Sequence, residues 1–171
     1  MKTKLFWIAS LSLLLFSISF IACKKDSKTV PLQLLLTDNP TNYDEVNIHI
    51  VGVQVKMNND DAGWTTIDSK DTIVNLLDFQ NGVTGVIAQD EVPEGVLKEV
   101  RFILGSDNTV IVDGVSHDLQ TPSAESSGLK IKIDKALNET LNTFVLDFDA
   151  ALSVKEEAGN YMLDPVIRLK P

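Results

Sequence analysis

Short apolar runs separated by turn-forming clusters constrain this chain more than any other feature of its sequence. Asp38-Asn39-Pro40, Asn81-Gly82, Val92-Pro93-Glu94-Gly95 and Asp113-Gly114 all break apolar segments. Such breaks recur about every 8–12 residues, the spacing of an all-β sandwich or barrel. Beyond the leader, no segment sustains a helical period over three turns.

The runs themselves alternate as strands do. Val30 to Thr37 is a Leu-rich run ending at Asp38-Asn39-Pro40. Val46, Ile48 and Ile50 share one phase, and Val51, Val53 and Val55 continue in the other. A β-bulge beside Gly52 absorbs that slip, so residues 45–56 are expected to form one long bent strand. Asn58 to Gly63 reads as a polar hairpin loop and lacks the ligand spacing of an EF-hand. Trp64 to Ile67 and Thr72 to Leu77 read as short strands. Between Asp78 and Pro93, the apolar residues Val83, Val86 and Ile87 fit either one helical turn or a short strand. Val96 to Leu104 is a strand with Arg101 in the minority phase. Asp113-Gly114, between Thr109–Val112 and Val115–His117, predicts a type I′ hairpin. Gln120 to Gly128 is a Ser/Pro-rich loop, Leu129 to Ile133 alternates cleanly, and residues 143–149 and 160–169 are the last two strands. The expectation is nine or ten strands in a two-sheet antiparallel β-sandwich, prealbumin-like or Ig-like, with at most one or two short helical turns.

The N-terminus has a different character. Lys2 and Lys4 precede the apolar run Leu5 to Ala22, the layout of a secretory signal peptide over residues 1–22. Phe20-Ile21-Ala22-Cys23 resembles the lipobox of bacterial lipoproteins, with Phe20 and Ile21 bulkier than usual. The resemblance implies diacylation of Cys23 and a new N-terminus there. Residues 23–29 then form a polar tether, and residues 30–171 a single domain. Acyl chains bind by about 0.8 kcal/mol per buried CH₂, so two or more anchor a protein stably. Two other readings stand beside this one: an unmodified thiol after an ordinary leader, or an uncleaved apolar span. The absence of Asp directly after Cys23 implies, by resemblance to Gram-negative lipoproteins, sorting to the outer membrane, on its periplasmic or external face.

Charge narrows the partners. Residues 1–22 hold two of the 15 basic residues and no acid, so the remaining 149 residues carry 13 basic and 24 acidic groups, a net −11. That balance disfavours nucleic acid and anionic lipid and tolerates cations, a glycan or a protein as ligand, besides the membrane reached through the anchor. Cys23 is the sole cysteine, so no intrachain disulfide forms.

Catalytic patterns are missing. No Gly-x-Ser-x-Gly, phosphate loop, His-Glu-x-x-His or dinucleotide fingerprint occurs. His49 and His117 stand on polar sides of strands, with no acid or cysteine in metal spacing. Trp64, Tyr43 and Tyr161 fall near strand ends or loops, where they serve either as core or as a sugar-stacking platform. Asp71-Thr72-Ile73 matches a short O-glycosylation pattern and reads better as the start of a strand. In residues 144–149, Phe144, Leu146 and Phe148 share one face, and Val145, Asp147 and Asp149 the other. Two acids so placed suggest a divalent-cation site or a glycosidase pair, with Asp38 as a further oxygen donor. Arg101 and Arg168, the only arginines, lie in apolar strand sequences. A half-buried guanidinium prefers a carboxylate, so structural pairs of Asp147 or Asp149 with Arg101 or Arg168 are favoured. Asp149 also suits a cap over Ala150-Ala151-Leu152.

Four blocks carry a resemblance across nearly the whole mature chain. They are Leu36-Thr37-Asp38-Asn39-Pro40, Tyr43-Asp44-Glu45-Val46, Leu146-Asp147-Phe148-Asp149-Ala150 with Ser153-Val154, and Tyr161-Met162-Leu163 with Pro165-Val166-Ile167-Arg168. Together they resemble the bacterial domain-of-unknown-function family 4382, usually found on secreted or lipid-anchored proteins. The resemblance implies a β-sandwich akin to prealbumin-like or carboxypeptidase regulatory-like modules, and it implies no established activity, catalytic residue or cofactor. The expected function is therefore non-catalytic: a lipid-anchored binding, adhesion or envelope-assembly module, with a cation-dependent carbohydrate-binding module or hydrolase built on Asp147 and Asp149 as the alternative.

Overall fold

The computed structural model describes residues 28–58, 63–122 and 128–171. The leader, Cys23, most of the tether, and the central parts of the 58–63 and 120–128 loops lie outside the described residues. Within them, no helix is long and apolar enough to cross a membrane.

Among the described residues, thirteen strands form two sheets. The smaller sheet has the order β13 (Ile167–Leu169), β10 (Asn142–Phe148), β1 (Thr29–Thr37), β5 (Gly85–Pro93). The larger runs β11 (Val154–Glu157), β12 (Asn160–Leu163), β8 (Val115–Gln120), β7 (Thr109–Val112), β2 (Glu45–Met57), β6 (Val96–Leu104), β9 (Leu129–Ala136). Two further strands, β3 (Thr65–Ile67) and β4 (Thr72–Asn75), pair with β2. A 3-10 turn, Leu76–Phe79, and one turn of helix, α1 (Ala150–Ser153), complete the described elements. The architecture is an all-β sandwich.

Burial of one strand face dictates the layering. In β1, Val30, Leu32, Leu34 and Leu36 are buried, and in β10 Leu146 and Phe148 are fully so. They meet Val46, Ile48, Ile50, Val53 and Val55 of β2, and Val100 and Phe102 of β6. A one-residue slip would turn each set outward, so the alternation fixes the register. The slip expected at Gly52 is present: Ile50 faces Leu104 while Gly52 faces Ile103, leaving Val51 as the extra, exposed residue. The hairpin also forms as its sequence predicts, with positive φ at both Asp113 (49°) and Gly114 (76°).

Four local features depart from the sequence reading. The sheets are mixed, because β1 pairs with β10 and β12 with β8 in parallel. Residues 85–93 are strand, with Ile87 bulged out between the pairs Leu34–Ala88 and Leu35–Val86. The strand from Thr72 stops at Asn75, whose side chain accepts from the Leu77 amide and opens the 3-10 turn. Residues 160–169 are two strands in different sheets; Pro165, lacking an N–H, interrupts them.

Among the described residues, the sheet pairings and the buried apolar core run from Thr29 onward. β1 begins at the tether, and every position along the sandwich can be placed relative to that end.

Candidate functional site

Two places merit attention: an acidic junction at the end of the sandwich far from the tether, and an apolar groove along one seam.

The junction gathers Asp38, Asp147 and Asp149. Parallel pairing brings Thr37 at the end of β1 opposite Asp147 of β10, which carries the following residues, Asp38 and Asn39, to the same end. The amide of Asn39 donates to Asp147 Oδ2 at 3.3 Å and to Asp149 Oδ2 at 3.2 Å. Asp149 Oδ1 accepts from the Leu152 amide and caps α1, as its position predicts. Asp38 is 3% exposed; its Oδ1 accepts from the Ala150 amide at 2.9 Å and its Oδ2 from Gln80 Nε2 at 3.2 Å. Burial pushes the Asp38 carboxyl up, and the Asp149 charge adds to that rise, against the pull of the Ala150 and Gln80 donors. Ser153, fully buried, donates to the Asp149 carbonyl and accepts from the Val166 amide.

The expected arginine pairs are absent. Asp147 and Asp149 hold Asn39 instead. Arg101 lies in the other sheet, where its Nε donates to Gln54 at 2.9 Å and its guanidinium sits 4.4 Å from the Trp64 ring centroid. Arg168 is the register partner of Asp147, yet it is exposed and makes no ion pair with it. An exposed arginine gains little from such a pair, whereas a short amide already fixed by the β1 turn reaches both carboxylates without ordering a long side chain. Asn39 occupies the position between Asp147 and Asp149, whereas Asp147 Oδ1 is buried without a hydrogen-bond partner among the described residues; none of the described His, Cys, Asp or Glu residues form a group of three or more arranged to hold a metal. The junction is a polar latch that ties the β1 turn to α1.

The groove is different in character. It opens where β4, at the border of the larger sheet, and β5, at the border of the smaller one, splay apart. A single bridge between Ser69 and Ala88, with the Gln89 amide donating to Asp68 O, joins the two sheets at the corner. Beyond that corner the space between them measures about 270 Å³. Ile50, Val74, Phe79, Val86, Ile87 and Ala88 form its apolar walls; Asp68, Ser69, Lys70, Thr72 and Gln89 add polar atoms. Phe79 is fixed by Gly85, where an added Cβ would lie 2.3 Å from the ring.

Comparison with protein families matches residues 29–165 to the domain of unknown function DUF4382. The chain belongs to the DUF4382 family. Searches of the curated proteins and of the solved structures returned no match. In this DUF4382 domain the blocks that carry the resemblance meet physically. Thr37-Asp38-Asn39 and Asp147-Phe148-Asp149-Ala150 are joined at the latch, and Ser153 ties them to Val166.

The histidine environments were not legible in the sequence. His49 Nε2 lies 2.7 Å from Asp71 Oδ1, and Nδ1 3.7 Å from Asp107 Oδ2. Asp71 is brought by the β2–β4 pairing and Asp107 by the turn after β6, at separations no short motif records. The nearby Ser106 hydroxyl donates to Asp107, not to the imidazole, and among the described residues His49 has no hydroxyl partner. His117 packs on Tyr161 at 4.8 Å between centroids. The three aromatics considered for sugar stacking are otherwise engaged: Trp64 under Arg101, Tyr161 buried, and Tyr43 packed against the core.

Proposed function

We propose that this DUF4382 protein is a lipid-anchored outer-membrane or cell-surface protein whose sandwich is a non-catalytic binding module. The observation that carries the reading is the groove between β4 and β5, whose walls are formed by Ile50, Val74, Phe79, Val86, Ile87 and Ala88. Its position supports the same reading. Val86 is the register partner of Leu35 in β1, six residues beyond Thr29. At about 3.3 Å per residue, that places the groove about 20 Å from the tethered end. A module anchored at Cys23 would hold this groove away from the bilayer, toward a partner. The Lys24-Lys25-Asp26-Ser27-Lys28-Thr29 tether contains no apolar period that would bury it. The non-catalytic part is supported by the Asp147–Asn39–Asp149 arrangement, in which one oxygen of each carboxylate accepts from the Asn39 side-chain amide.

Two measurements test it. Labelled palmitate is expected to enter the native protein and not the Cys23→Ala variant; equal labelling of both refutes the anchor. Glycan arrays and envelope pull-downs with residues 24–171 are expected to yield a ligand whose binding is weakened by Phe79→Ala. Binding that is unaffected by this change, or no ligand in either format, refutes the groove as its site.

A further inference from the structure

Unpaired strand edges expose N–H and C=O groups that recruit other chains, and proteins blunt them with charge, brevity, proline or bulges. Most edges here are blunted. β11 presents exposed Lys155, Glu156 and Glu157. β9 presents Lys130, Lys132, Asp134 and Lys135. β13 has three residues, one of them the exposed Arg168. The second half of β5 carries Asp90, Glu91 and Pro93.

The seam around the groove is the exception. No charged residue occurs from Thr72 to Leu77 or from Phe79 to Gln89. Ile73 is 51% exposed, Val83 52% and Val86 57%, three of the seven large apolar side chains left exposed among the described residues. They lie on or beside the two free edges that border the groove. Beyond the Ser69–Ala88 bridge, neither β4 nor the first half of β5 has a further strand neighbour on that side among the described residues. Charge returns at the two ends and at Asp78 in the turn between the strands. From Asp68 to Asp90 the segment holds Asp68, Asp71, Asp78 and Asp90 against one cation, Lys70.

We propose that this seam receives an extended segment of another protein chain, added as a β-strand along the free edges of β4 and β5. Backbone pairing supplies the attachment, alternate apolar side chains enter the groove, and basic residues at the ends of the segment meet the acidic rim. The proposal rests on the binding-module reading and names the ligand class for its groove.

The test is selection of a displayed random nonapeptide library on residues 24–171. Enriched peptides are expected to alternate apolar and polar residues with Lys or Arg at their ends. Their binding should fall at least tenfold in Val86→Asp and stay unchanged in Val115→Asp, an equally exposed valine in the β7–β8 hairpin. Bound peptide should slow amide exchange in Ile73–Asn75 and Val86–Ala88. Failure to enrich any peptide, enrichment of acidic or non-alternating ones, or equal loss in both variants overturns strand addition. A glycan ligand lost in Val86→Asp, with no peptide bound, would overturn this proposal while leaving the binding module standing. Val86-dependent self-association would overturn it too, by making the occupant a second copy.

Discussion

Asp38 shows how one residue serves the fold at a cost in charge. It is buried, it holds the Ala150 amide, and its carboxyl is raised by that burial. A carboxyl raised on folding binds its proton more tightly in the folded state. Its contribution to stability is therefore greatest below the ordinary value of 3.8 and declines as pH rises through the raised folded value. Asp38→Asn keeps an acceptor for Ala150 and removes the titration. Urea denaturation from pH 3 to 7 is expected to show the native chain losing stability relative to Asp38→Asn as pH rises; the opposite trend would mean that burial does not dominate. Gly85 sets a second local condition. A methyl there lies 2.3 Å from the Phe79 ring, so Gly85→Ala must displace a groove wall. A loss of about 1–3 kcal/mol, the usual cost of overpacking, is expected from denaturant melts.

At the scale of elements, the most demanding connection runs from β10 through α1 to β11, because it carries the chain from one sheet to the other within a few residues. Asp149 caps the helical turn, and Ser153 closes it while holding the Val166 amide ahead of β13. Ser153 is fully buried, and Ser153→Ala leaves the part-buried Val166 amide without its acceptor, which costs about 1–3 kcal/mol. Thermal melts of the variant should show the loss, while far-UV spectra remain those of a β protein. The strands themselves were legible wherever one face is buried against the other sheet, as in β1, β2 and β9. The β5 region was not, because a bulge at Ile87 breaks its alternation and its first half is exposed at an edge.

The whole molecule is a sandwich with unequal sheets, a latched far end and one open seam. Since the Asp147 and Asp149 carboxylates are turned onto Asn39, neither calcium nor EDTA is expected to shift the melting temperature of residues 24–171. A rise of several degrees with calcium, reversed by EDTA, would restore the cation reading. The net negative charge of the chain keeps its surface acidic in sum. Cations are nevertheless concentrated locally, with Lys56, Lys98 and Lys132 interleaved with Glu99 and Asp134 across β2, β6 and β9.

The sequence by itself determined the all-β class, the bend at Gly52, the Asp113-Gly114 hairpin, the cap at Asp149 and membership of the family. Each depends on neighbours within a few residues, so local alternation, turn chemistry and motif blocks record it. Only the tertiary structure decided which groups meet across the sheets. Parallel pairing of β1 with β10 gave Asp147 and Asp149 an asparagine where the residue inventory suggested an arginine. Pairing with β4 and the turn after β6 surrounded His49 with carboxylates. The open seam belongs to the same class of fact. It exists because β4 and β5 border different sheets and are joined by one backbone bridge at their corner, and nothing in either strand alone says how far apart two sheets will stand.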